Sequence, residues 1–181
     1  MATADSAPAS LVPGPDWAPV DPFPELDRVR SFVSGDASDD RLRLRYYRRG
    51  SDGRLVGTAW FGPGSEGPPG FAHGGAIAAV LDEAMGAAAW LEQHAALLVR
   101  LTVDLRQMLA LDTEAVFDAW ITAVAGRKVT VRATLVDPRA GLIAESEGLF
   151  IVLSPQQMEG LKAEIERRRA AGGRKAEAAG P

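Results

Sequence analysis

Gly67-Pro68-Pro69-Gly70-Phe71-Ala72-His73-Gly74-Gly75-Ala76-Ile77-Ala78-Ala79-Val80-Leu81-Asp82-Glu83-Ala84-Met85-Gly86 is the stretch on which the reading of this chain turns. A loop rich in Gly and Pro empties into an Ala-rich segment, and Ala is the strongest helix former. No Pro follows until Pro138, so a helix of about four turns is predicted from Ala76 to Leu91. Wound at about 100° per residue, Ile77, Val80, Leu81, Ala84, Ala88 and Leu91 share one apolar face, with Met85 at its edge. That face belongs to the core. The opposite face carries Gly75, Ala78, Ala79, Gly86 and Ala89, with Asp82 as its only charge. Water-facing helix surfaces hold Lys, Glu, Gln or Arg, whereas Gly and Ala let another backbone or a ligand come close. Asp82 is therefore expected to point into something.

A carboxylate in a confined, partly dry place shifts its pKa unless it is paired, which suits a general base or nucleophile. The alternative is an ion pair or a surface charge. The first backbone N–H groups of a helix lack internal partners and carry the positive end of its dipole. Gly74 and Gly75 have no side chains to cover them, so a carbonyl oxygen gaining negative charge is expected to fit there. Asp82 lies two turns further on, about 10 Å away. One carbonyl cannot touch both within a single helix, so a joint site needs a second copy of the helix in a dimer.

The segment Glu66-Gly67-Pro68-Pro69-Gly70-Phe71-Ala72-His73-Gly74-Gly75, with Asp82 nine residues after His73, resembles the hotdog-fold acyl-CoA thioesterases of the phenylacetate-pathway and human mitochondrial thioesterase type. The likeness extends from about Leu42 to Leu153. It implies an α+β fold in which an antiparallel curved sheet of about six strands wraps one long central helix. It also implies a homodimer or dimer of dimers, acyl-CoA as substrate, and no cofactor or metal. In that family the acid matching Asp82 activates water or attacks the thioester carbon, and the resemblance favours Gly75 N–H as oxyanion donor. His73 is expected either to orient the loop or donate toward the thioester, or to cap loop carbonyls. Glu83, about 100° round the helix from Asp82, is expected to pair or stay solvated, with a substrate contact as the alternative.

One departure stands out. The family commonly has a Ser or Thr, and an Asn, on the strand after the helix. Here an ungapped match puts Leu98 at the hydroxyl position and Thr102 in place of the Asn, so Thr102 replaces the hydroxyl only in a different register. Gly126-Arg127-Lys128 matches a turn where relatives carry similar cations, and Arg127 and Lys128 are candidates for the phosphates of coenzyme A. Solvated turn cations are the plainer reading.

The 181 residues suffice for one domain with a real core. Residues 1–21 are expected to be a loose tail, 22–153 the folded domain, and 154–181 a charged helix and loose end. A net charge of -4 argues against nucleic acid as partner, and the absence of Cys excludes disulfides and thiolate metal sites. No basic-then-apolar leader begins the chain and no apolar run reaches about 20 residues, so a cytoplasmic protein without a membrane span is expected.

A short helix is predicted over Pro22 to Val33 and a hairpin from Arg41 to Phe61, turning at Ser51-Asp52-Gly53. Further strands are predicted near 99–106, 113–125, 127–136 and 142–153, then a helix from Ser154 to Arg169, with antiparallel meander pairing. His94 reads as an exposed residue at a helix end, and Arg167-Arg168-Arg169 as a solvated helix end. Trp60, Phe61, Met85, Trp90 and Met108 are candidates for an acyl pocket, though plain core packing is the favoured reading of each. Two rivals to hydrolysis remain open: a non-catalytic acyl-CoA binder, and another acyl-thioester enzyme such as a hydratase.

Overall fold

The computed structural model of the chain describes residues 13–23, 32–33 and 40–178, and the helix expected over 22–33 lies mostly outside them. In chain order these residues form β1 (Trp17–Pro19), β2 (Leu42–Arg49), β3 (Leu55–Phe61), a 3-10 turn (Pro63–Ser65), α1 (Gly74–Leu91), β4 (Ala96–Leu105), β5 (Thr113–Ala125), β6 (Lys128–Asp137), β7 (Gly141–Val152) and α2 (Pro155–Ala178). All strand pairs are antiparallel, in the order β1-β2-β3-β5-β6-β7-β4. The sheet thus has seven strands rather than about six. The additional one, β1, comes from the stretch expected to be loose.

The meander expectation holds within β1-β2-β3 and within β5-β6-β7, and fails at β4. Helix α1 carries the chain across the sheet, so β3 neighbours β5 and β4 lands at the far edge beside β7. A helix of 18 residues is long enough for that crossing. Its inner face is the apolar one predicted: Ile77, Val80, Leu81, Ala84 and Met85 are buried against Phe61, Phe117, Leu135, Ile143 and Phe150. By length and composition α1 would also pass for a membrane span, contrary to the expectation of none, but its position over the sheet is that of a core helix.

Close packing imposes local demands. A methyl group at Gly57 of β3 would collide with the carbonyl oxygen of Arg45 and the ring of Phe117, so only a bare backbone lets that ring lie under the sheet. At the end of α1, Gln93 takes a left-handed φ of 65°. Its N–H bonds the Trp90 carbonyl and that of His94 bonds Ala89, a Schellman closure with Gln in the position usually held by Gly. Helix α2 starts with a reciprocal cap: Gln157 N–H donates to Ser154 Oγ at 3.2 Å and Ser154 N–H to Gln157 Oε1 at 2.9 Å. It continues past Arg169, where the predicted helix stopped.

Candidate active site

The loop before α1 is folded around His73. Its backbone N–H donates to the Ser65 carbonyl at 2.7 Å, while Ala72 N–H reaches Leu109 at 2.8 Å. Gly67 packs so closely that an added methyl would come 2.7 Å from His73 Cα and 3.1 Å from Cδ2. The imidazole caps the helix: Gly75 N–H donates to His73 Nδ1 at 2.9 Å. Of the roles expected for His73, capping is the one formed, though toward an amide rather than a carbonyl. The Gly75 amide expected to receive an oxyanion is therefore occupied by this ring. Gly74 N–H has no partner among the described residues, and Gly74 lies beside Leu105 of β4.

Asp82 sits two turns along on the face carrying Gly75, Ala79 and Gly86. It is half-buried, with no hydrogen bond or ion pair among the described residues. Burial alone raises its carboxyl above the ordinary value of 3.8. That face borders the free edge of the sheet, since Gly86 lies next to Phe150 and Met85 covers Gly148 beside Leu98. Leu97, Val99 and Leu105 of β4 are each more than half exposed, as is Met108 just beyond it. Among the clefts of the protomer, the one of about 460 Å³ between the β2–β3 turn, β5 and the end of α1 does not reach Asp82. The carboxylate residue keeps part of its surface exposed.

The other predicted residues are dispersed. Glu83 accepts from Tyr46 Oη at 3.2 Å, a neighbour's pairing rather than a shared direction with Asp82. Thr102 is set opposite Glu147 and lines a shallow groove with Asp104, Arg106 and Arg132, on the sheet face turned away from α1. A bulge between Leu98 and Arg100 shifts the register, and Leu101 and Val103 take the inward positions. Thr102 is therefore not brought together with Asp82. Arg127 is tied to Val152 and Gln157, whereas Lys128 is exposed. Phe61 and Met85 are core, and Trp60 faces away from α1 beneath the guanidinium of Arg43, 4.2 Å from its ring centroid. Trp90 donates its indole N–H to Ala96, and His94 is half-buried rather than exposed. Among the described residues no cluster of three or more His, Asp or Glu side chains is arranged to hold a metal.

Residues 69–144, spanning the loop, α1 and the sheet through β7's start, match the Thioesterase superfamily model. The chain has the hotdog fold, and this segment, less than half of it, is similar to the thioesterase superfamily. A Xenopus laevis relative, acyl-coenzyme A thioesterase THEM4, is 29% identical over 135 residues, 73% of this chain and 61% of its own length. The chain thus spans under two thirds of that curated relative. A crystal structure of a thioesterase superfamily protein is 27% identical, covers 60% of this chain and 56% of its own, and superposes with a TM-score of 0.57. A Streptococcus mutans protein bound to acetyl CoA shares the fold at 18% identity and a TM-score of 0.57, covering 71% of this chain and 96% of its own.

The chain carries Gly74 and Gly75 at the opening of α1, Asp82 two turns on, and Leu98 rather than a hydroxyl residue on the inner side of β4. Residues that sequence reasoning missed had faint signals. The unbroken apolar run Ala96-Leu97-Leu98-Val99 marks a strand with two apolar faces, not one.

Proposed function

We propose that the chain is an acyl-CoA thioesterase whose working site forms between two copies of this domain. The observation that carries this reading is the unpaired, half-buried Asp82 of α1. The apolar free edge of β4 supports pairing with a second protomer, and such pairing would seat the Asp82 of one copy opposite the α1 opening of the other. The thioesterase superfamily match over residues 69–144 and a fold neighbour solved with acetyl CoA support coenzyme A thioesters as the substrate class.

The chemistry is an addition and an elimination. The thioester oxygen rests against the donors that open α1 while a water molecule attacks the carbonyl carbon. Asp82 takes the proton that this water loses, and the negative charge moves to the carbonyl oxygen. When the tetrahedral species collapses, the C–S bond breaks, the electron pair leaves with sulfur, and the Asp82 proton passes to the thiolate. Free acid and CoA result. Direct attack by the carboxylate is the other route, through a mixed anhydride that water then hydrolyses.

Release of thiol from a panel of acyl-CoA esters, compared between the native protein and Asp82→Ala, tests the reading. A loss of about a hundredfold or more with binding retained is expected. Hydrolysis that survives the substitution removes Asp82 from the mechanism. A non-catalytic acyl-CoA binder is the second reading, favoured by Leu98 and by the outward position of Thr102. Binding of the panel without any turnover selects it.

A further inference from the structure

Gly75 N–H is the donor that the bare Gly74-Gly75 pair suggests for the thioester oxygen, yet it is already bonded to His73 Nδ1 at 2.9 Å. The orientation of the ring is held from three sides. Its backbone N–H is tied to Ser65 and its Cδ2 edge lies against Gly67. A methyl on Gly75 would come 2.8 Å from Nδ1 and 3.1 Å from Cε1, so Gly75 too is shaped around the imidazole. Turning the ring over would set a C–H against an amide N–H and lose the cap.

An imidazole that accepts at Nδ1 carries its proton on Nε2. That N–H has no acceptor among the described residues, and the side chain is exposed. We propose that His73 Nε2–H is the side-chain donor to the thioester oxygen, while Gly75 N–H serves to hold the ring and its tautomer. This rests on the thioesterase reading of the site. Gly74 N–H, unpartnered among the described residues and one residue away, is the second donor. His73 thereby acts as a neutral hydrogen-bond donor to the oxyanion; no proton is transferred from it, and the bonds made and broken are those of water, Asp82 and the C–S link described above.

Two substitutions separate the donors. His73→Ser retains a capping oxygen for Gly75 N–H, and its hydroxyl is too short to donate where Nε2–H does. His73→Ala frees Gly75 N–H. The expectation is that both lose kcat by about a hundredfold, to similar extents, with KM within about threefold and folding retained in the Ser variant. A His73→Ala protein within about threefold of the native kcat overturns the proposal, since the freed amide would then suffice.

Nitrogen-15 imidazole spectra give a readout that does not depend on turnover. Nδ1 is expected to be unprotonated and Nε2 protonated. The Nε2–H resonance is expected to shift when the protein is saturated with the ketone analogue, CH2 in place of S, of the best substrate in the panel, or of acetyl-CoA if none is turned over. A proton on Nδ1, or an Nε2–H that ignores the bound analogue, overturns the proposal even if hydrolysis is confirmed. Loss of the broader reading looks different: the native protein hydrolyses nothing, or Asp82→Ala remains active, whatever the ring spectra report.

Discussion

The guanidinium of Arg127 donates from Nε to the carbonyl oxygen of Val152 at 2.9 Å. A second bond, from its terminal nitrogen to Gln157 Oε1 at 3.0 Å, reaches the first turn of α2. The β5–β6 turn, the end of β7 and the start of α2 are thus joined through one side chain.

Arg127→Ala is accordingly expected to lower stability, by about 1 kcal/mol because the pairs are exposed, and to fray the start of α2. Its KM for acyl-CoA should stay within about twofold of native. Lys128, with no such duty, is the better phosphate candidate, and Lys128→Ala should raise KM at low salt. Thermal unfolding and steady-state kinetics on the two variants check the division. A raised KM in the Arg127 variant without loss of stability would reverse it.

Asp82→Asn should act on rate and stability in opposite directions. Burial raises the carboxyl above 3.8, so the folded chain retains a proton that the unfolded chain has lost. The stability owed to this group therefore falls as pH rises from about 4 through the folded value. Hydrolysis needs the carboxylate and should rise over that same range. Asparagine removes both slopes: the variant is expected to melt higher than native at neutral pH and to lose at least about a hundredfold in rate. Melting curves against pH, for both proteins, decide the first point.

Charge on the open edge should break assembly. Val99, 59% exposed on β4, has no partner in the protomer to account for it. Val99→Lys is expected to halve the mass seen by light scattering and to abolish hydrolysis while leaving the far-ultraviolet dichroism intact. Full activity in a monomeric variant would refute a shared site.

Gly57→Ala tests the sheet itself. The new methyl meets the Arg45 carbonyl and the Phe117 ring, neither of which can withdraw without moving β2 or the core. A loss of about 3 kcal/mol or more is expected by chemical denaturation.

Much of this molecule can be read locally. The periods of α1 and of β2, β5, β6 and β7 stand in the sequence because each element has one face in the core, whereas β3 is buried throughout and was legible from the turn before it. β4 was legible in part: its alternation puts Leu101 and Val103 toward the core, as they are, but Val99, beside a bulge between Leu98 and Arg100, and Leu105 are exposed, and bulges leave no fixed residue pattern. β1 has only three residues, and its pairing with β2 is a tertiary contact that no alternation announces. The partly buried placement of Asp82 was legible from the surrounding Gly and Ala. The capture of Gly75 N–H by His73 was less so, since an imidazole before a helix can turn toward amides or away from them. The bonds of Arg127 could not be read locally for a related reason: its partners, Val152 and Gln157, are at least 25 residues distant along the chain.

The two rims of the sheet are unlike. One ends in the three residues of β1, with Pro19 among them, which can offer little ladder to a newcomer. The other is ten residues of largely apolar strand with an unused row of backbone groups. Joining sticky rim to sticky rim uses up both and leaves only blunt ends outward. In the proposed pair, growth by strand addition would therefore stop at two chains, and the same geometry that would draw copies together would keep them from running on into fibrils.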